Sequence, residues 1–306
     1  MKTHWNLISQ EAPWRPRDSA GAVVFQERMW LFGGWQLLKD GDFKRLSDVW
    51  HSADGLTWEQ VTHQAAWPAR NLAGCVVFND RIWLLGGFDG VFSFADVWCS
   101  ADGHYWDQVV AAAPWGGRGA FGCVVYGDKI WVIGGVNWES ETAKGDVWCS
   151  SDGVQWDLVT DGPGWAARAM FPVLIFDDRM WLVGGGIYHD RMINHNDVWC
   201  STDGVEWQPF TESAAWQGRR FHEALVFADR MWFFGGIISE RTNMNDVWYS
   251  VDGAQWQRSD CAAPWGVRHE SVCLAFGGKV WLLGGYSGSA TGSTVYNDIW
   301  TMEVRG

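Results

Sequence analysis

Short apolar segments recur along the chain, each headed by a tryptophan and closed by a glycine doublet. The doublets begin at Gly33, Gly86, Gly134, Gly184, Gly235 and Gly284, 48 to 53 residues apart. The segments before them start at Trp30, Trp83, Trp131, Trp181, Trp232 and Trp281. Apolar runs this short, bounded by turn residues, predict strands rather than helices. After each doublet comes a variable loop, then Asp-Val-Trp or Asp-Ile-Trp ending at Trp50, Trp98, Trp148, Trp199, Trp248 and Trp300. Five of these run into Ser-x-Asp-Gly turns at Asp54, Asp102, Asp152, Asp203 and Asp252, where left-handed residues suit a tight hairpin. A further strand carries Trp58, Trp106, Trp156, Trp207 or Trp256, and Trp-x-x-Arg then opens the next repeat.

The sixth repeat stops after its third strand at Asp298-Ile299-Trp300, while Trp5-Asn6-Leu7-Ile8 matches Trp58-Glu59-Gln60-Val61. One repeat is thus split between the two termini, which predicts a closed ring rather than an open solenoid. The expected fold is all-β: a six-bladed β-propeller of four-stranded antiparallel blades, residues 1–306 forming a single domain whose last blade is closed by the strand carrying Trp5. Tryptophan usage agrees, because four columns of six members absorb all but Trp35 and Trp138 of the 26 tryptophans. The aromatic excess is therefore architectural.

Apolar residues make up 47% of the 306, enough for a large core, and no run approaches the roughly 20 apolar residues that span a bilayer. No continuous apolar leader opens the chain, so a cytoplasmic location is expected and membrane association is not. A net charge of −13 disfavours nucleic acid, since phosphate neutralisation needs a basic face. Six of the seven cysteines fall in repeat columns, Cys75, Cys123 and Cys273 in one and Cys99, Cys149 and Cys200 in the other. Equivalent positions are expected to lie far apart, so these read as reduced, small apolar residues.

An arginine before an apolar inner strand, an aromatic before Gly-Gly and an aromatic third strand, repeated about every 50 residues, resemble the kelch repeat. The resemblance covers essentially the whole chain, and the Ser-x-Asp-Gly-x-x-Trp turn is similar to the Asp-box of sialidase-type propellers. It implies the stand-alone type of propeller, similar to the central domain of galactose oxidase and to sialic-acid mutarotases. The family also includes protein-binding modules and nitrile-specifier proteins, so the fold does not choose a function. The resemblance further implies that the arginine column, Arg17, Arg70, Arg118, Arg168, Arg219 and Arg268, rings one mouth of the central channel. There it either binds an anion or satisfies carbonyls and the Asp of Asp-Val-Trp between blades.

Departures from the repeat mark candidate chemistry. Just after the column arginines, the fifth and sixth repeats carry Arg220, His222, Glu223, His269 and Glu270, where the third and fourth offer Ala120, Phe121, Met170 and Phe171. A lopsided mouth follows, titratable on one side and walled by Phe121, Met170 and Phe171 on the other. Histidine and glutamate at 222, 223, 269 and 270 supply a candidate acid and base, with arginine holding a carboxylate or oxyanion. Adjacent strand residues face opposite ways, so His222 and Glu223 cannot both reach one site.

The loops after the doublets form a second irregular set. They contain Trp35, Trp138, Phe92, Tyr188 and His189, which suit a sugar ring or a protein partner. His189, Asp190 and His195 form the one local metal-like cluster, without the spacing of a known motif. No copper-radical or iron pattern of the kelch relatives maps onto the chain, so no cofactor and no metal are expected. The leading expectation is a small polar, carboxylate-bearing or sugar-like ligand at the channel mouth, with a metal-free isomerase or cyclase activity. The alternative is a protein-interaction module using the loops.

Overall fold

The computed structural model describes residues 2–38, 41–187, 193–259, 263–289 and 292–305. Among them there is no helix, and the strands assemble into six four-stranded antiparallel sheets, the blades of a β-propeller. Blade one is built from Gly21–Phe25, Arg28–Leu37, Phe43–Ser52 and Glu59–Thr62, in that order across the sheet. The next four blades repeat this order. Blade six consists of Val272–Phe276, Lys279–Ser289, Gly292–Arg305 and, as its outermost strand, Lys2–Ser9. The register runs from Lys2 opposite Arg305 to Leu7 opposite Trp300, so the split repeat is completed as its residues predict. No helix is long and apolar enough to cross a membrane.

The chain divides into two units. Ser19–Ala169, holding blades one to three, forms one together with Asp203–Glu206; the rest, with blades four to six and the first eighteen residues, forms the other. Within each unit the second strands are buried on both faces, which is why they read as continuous apolar runs instead of alternating. In blade two, Ile82 and Leu84 pack with Trp30 and Phe32 of blade one, whereas Trp83 and Leu85 pack with Ile130 and Val132 of blade three. Tryptophan pairs lock blades two, three, five and six internally. The ring that opens a blade meets the fourth-strand ring edge to face in Trp67–Trp106, Trp115–Trp156, Trp216–Trp256 and Trp265–Trp5, with centroids 5.7 to 6.2 Å apart. Trp5 therefore fills the same niche as its counterparts within the chain.

Two glycine signals have physical causes. Gly33 has φ +54°, and a Cβ there would lie 2.8 Å from the Arg70 carbonyl of the next blade, which accepts the Gly34 amide at 2.9 Å. In the Ser-x-Asp-Gly turn, Ser100 Oγ accepts the Gly103 amide, Asp102 Oδ1 accepts the His104 and Tyr105 amides, and Trp106 Nε1 donates to the Gly103 carbonyl. A Cβ on Gly103 would fall 2.1 Å from the Trp30 ring of blade one. The turn thus caps one blade and presses on its neighbour.

The cysteines bring a correction. The described ones are free. Burial pushes the Cys75 thiol up to about 12, in keeping with inert packing. Cys75 and Cys123 of the inner column are not far apart, however: their first strands crowd together so closely that a Cβ on Gly74 would lie 2.9 Å from Cys123 Sγ, and a Cβ on Gly21 would overlap Cys75 Sγ.

Candidate functional site

The arginine column proves to be a framework. Arg70 donates through Nη1 to Asp96 Oδ1 at 2.6 Å and to the Gly86 carbonyl at 2.7 Å, and through Nη2 to Asp96 Oδ2 at 2.8 Å. Trp98 Nε1 completes the carboxylate's hydrogen bonds at 2.7 Å. The same arrangement joins Arg118 to Asp146, Arg219 to Asp246 and Arg268 to Asp298, and each guanidinium is 1% exposed. Arg17 and Arg168 are as deeply buried, and their Nε groups donate to the carbonyls of Arg15 and Ala166. At Arg70, Arg118, Arg219 and Arg268 this corrects the anion-binding expectation, because bidentate pairing within the blade leaves these guanidiniums committed to the fold.

Two residues beyond each column arginine the backbone turns left-handed without glycine: φ is +50° at Ser19, +57° at Leu72, +53° at Ala120, +61° at Met170, +55° at Phe221 and +54° at Glu270. For Leu, Met and Phe this is a strained conformation, worth about 1 kcal/mol or more at each position. Backbone hydrogen bonds pass from blade to blade there and over-determine it. Leu72 N donates to Ser19 O and Ala120 N to Leu72 O in one unit, and Phe221 N to Met170 O and Glu270 N to Phe221 O in the other. The kink fixes the residues on either side of it, and in blades five and six those are the polar ones.

In the second unit these residues converge. Glu223 and Glu270 are half-buried, keeping contact with solvent while enclosed by protein. Burial, and then the Glu270 carboxyl, push the Glu223 carboxyl up to about 8, so at neutral pH it is an uncharged acid. Behind Glu270 lies His269, with Nε2 3.4 Å from Glu270 Oε2 and Nδ1 against Asn243 Oδ1. Its ring lies near those of Phe221 and Tyr286, with centroids 5.7 and 5.2 Å away. Burial and the nearby Arg220 hold His269 down at about 3, hence neutral. The Arg220 guanidinium is fully buried and donates to Asn194 Oδ1 at 2.8 Å. A neutral carboxylic acid within electrostatic reach of a second carboxyl, which a neutral imidazole adjoins, can give and take protons.

The structure does not bring every expected residue to this cluster. His222 is 3% exposed and takes the slot that Phe121 and Phe171 fill in blades three and four, its ring 6.1 Å from Trp216 and 5.3 Å from Phe233. Burial, then the Arg219 charge, lowers it to about 3; the Val183 backbone acts weakly the other way, yet neither ring nitrogen has a hydrogen bond of ordinary geometry. It is a packing residue, which corrects its place in the acid–base set. Phe121, Met170 and Phe171, expected as a pocket wall, are at most 7% exposed and belong to the core. Trp35 is half-buried and stacked on Phe43 at 4.6 Å, and Trp138 is half-buried 5.7 Å from Phe88. Tyr188, His189 and Asp190 lie outside the described residues. No group of three or more metal-ligating side chains occurs among the described residues.

Sequence reasoning missed Asn194 and Asn243. Each stands three residues before the Asp of Asp-Val-Trp, in blades four and five alone. That offset is the signal that could have found them.

The chain matches no protein-family profile and no curated protein. Among solved structures it is similar to one described as "Structure of YjhT", with 15% sequence identity, a TM-score of 0.76 and 96% of each chain covered. At this identity the likeness speaks for the fold alone, and that fold is the six-bladed β-propeller.

Proposed function

We propose that the protein binds a small polar ligand, sugar-like and with or without a carboxylate, against Glu223, Glu270, Phe221 and Tyr286, and exchanges protons with it in a metal-free isomerisation or cyclisation. One observation carries this reading: Glu223 is held neutral at about 8 beside Glu270 while both keep contact with solvent. Raised carboxyls of this kind are concentrated where an acid must act at neutral pH. Phe221 and Tyr286 add apolar and aromatic surface on which a sugar ring can rest. The free thiols favour a reducing compartment such as the cytoplasm.

The test is a panel of reducing sugars and sugar acids, screened for binding by calorimetry and for interconversion by NMR exchange, with Glu223→Gln and Glu270→Gln made separately. Each variant is expected to keep the fold and lose about 10²-fold or more of turnover, the usual share of a general acid or base. Unchanged turnover in both variants would end the proposal.

A second reading rests on a separate observation: Phe43, at the start of a blade-one strand, and Val91 and Phe92, in a blade-two loop, are 50%, 64% and 58% exposed. Exposed apolar side chains of this size suit a protein partner. Binding to a partner that survives Glu223→Gln and is lost in Phe43→Ser/Phe92→Ser would favour it.

A further inference from the structure

Asn243 and Asn194 make the same contacts one blade apart. Asn194 accepts from Arg220 Nη1 through Oδ1 at 2.8 Å and donates through Nδ2 to the Ile238 carbonyl at 2.8 Å. Arginine has no acceptor, so this amide has one possible orientation. Asn243, its equivalent, donates through Nδ2 to the Gly288 carbonyl at 2.7 Å and presents Oδ1 to His269 Nδ1. A carbonyl oxygen cannot donate. The proton between Asn243 and His269 therefore sits on Nδ1.

The consequence falls on the other ring nitrogen. With Nδ1 protonated, a neutral His269 has its lone pair on Nε2, facing Glu270 Oε2 at 3.4 Å. Phe221 and Tyr286 pack near the ring and the Asn243 amide is anchored on Gly288, which favours this placement. Of the charged groups around the ring, Arg220 opposes a second proton on it, and Glu270 stands 3.4 Å from Nε2.

We propose that Asn243 is a positioning residue: by fixing His269 as the Nδ1–H tautomer it makes Nε2 an acceptor on the side of Glu270, so that His269 can receive a proton there but not donate one. This rests on the acid–base reading of the site for its purpose, but not for its geometry. No covalent step is involved, and Asn243 acts through His269 rather than on a ligand.

Ring-¹⁵N-histidine NMR tests it on the intact chain, with the His269 signals picked out of the eight histidines by their loss in His269→Gln. The wild type is expected to show a pyrrole-type Nδ1 and a pyridine-type Nε2. Asn243→Ala is expected to lose that pattern, moving to the Nε2–H form that ordinary histidine prefers. Asn243→Asp keeps the acceptor oxygen and is expected to keep Nδ1 protonated, and Asn194→Ala, one blade away, to leave His269 unchanged. A pyridine-type Nδ1 in the wild type, or an Asn243→Ala spectrum identical to it, overturns the proposal. If Asn243→Ala does not fold, the wild-type and Asn243→Asp spectra decide. Failure of the sugar panel with the tautomer as expected would remove the proposed activity and leave this assignment standing.

Discussion

Replacing Glu223 with glutamine isolates the energetic consequence of its environment. The carboxyl has an ordinary value of 4.5 and is pushed to about 8 in the fold, first by burial and second by Glu270. Because the folded value lies above the unfolded one, its contribution to stability is fully present below pH 4.5 and is lost as pH rises through 8. At pH 7 the loss spans about 2.5 pH units, or about 3 kcal/mol at 1.36 kcal/mol per unit, and partial access of water lowers this to about 2. Glutamine keeps the shape and a hydrogen-bond donor but cannot ionise. Urea melts from pH 5 to pH 9 should therefore show Glu223→Gln equal to the wild type near pH 5 and about 2 to 3 kcal/mol more stable at pH 8 to 9. Parallel profiles over the whole range would refute the raised carboxyl and the reasoning built on it.

The framework and the packing residues behave differently. Asp246→Ala strands the Arg219 guanidinium, 1% exposed, without its carboxylate, and should cost about 3 to 5 kcal/mol in a denaturant melt. His222→Phe restores the residue of the equivalent slots at 121 and 171. His222 is held at about 3, below its unfolded 6.5, so the stability it contributes is present above pH 6.5 and is lost as pH falls toward 3. The phenylalanine variant should accordingly gain on the wild type below pH 6.5, by about 1 kcal/mol per pH unit in thermal melts. Gly103→Ala, at φ +73° with a Cβ 2.1 Å from Trp30, should lower the melting temperature by several degrees, because strain and a clash between blades coincide there.

The architecture was legible because each cue recurs. One Trp-x-x-Arg is weak evidence, but six at equal spacing, with the Trp5 strand matching the missing member, specify blade order and closure. The same recurrence explains why the arginines belong to the framework: Arg70, Arg118, Arg219 and Arg268 each need the Asp 26 to 30 residues later in the same blade. Within the candidate site, His269, Glu270, Glu223 and Arg220 stood out as breaks in the pattern. His222 stood out equally and proved to be a histidine in a phenylalanine slot, since composition alone does not say which face of a strand is covered. Asn194 and Asn243 escaped notice because their partners lie across a blade boundary, 26 residues on in each case. The left-handed backbone at Leu72, Met170 and Phe221 left no trace either, as none of these residues favours that conformation and only hydrogen bonds between neighbouring blades hold it.

A site-resolved titration of the Glu223 carboxyl, by ¹³C NMR in the wild type and in Glu270→Gln, bears most directly on the proton-carrying pair. A midpoint near 8 in the wild type that falls when Glu270 loses its charge is the expected result. A Glu223 that titrates near 4.5 in both proteins would contradict it.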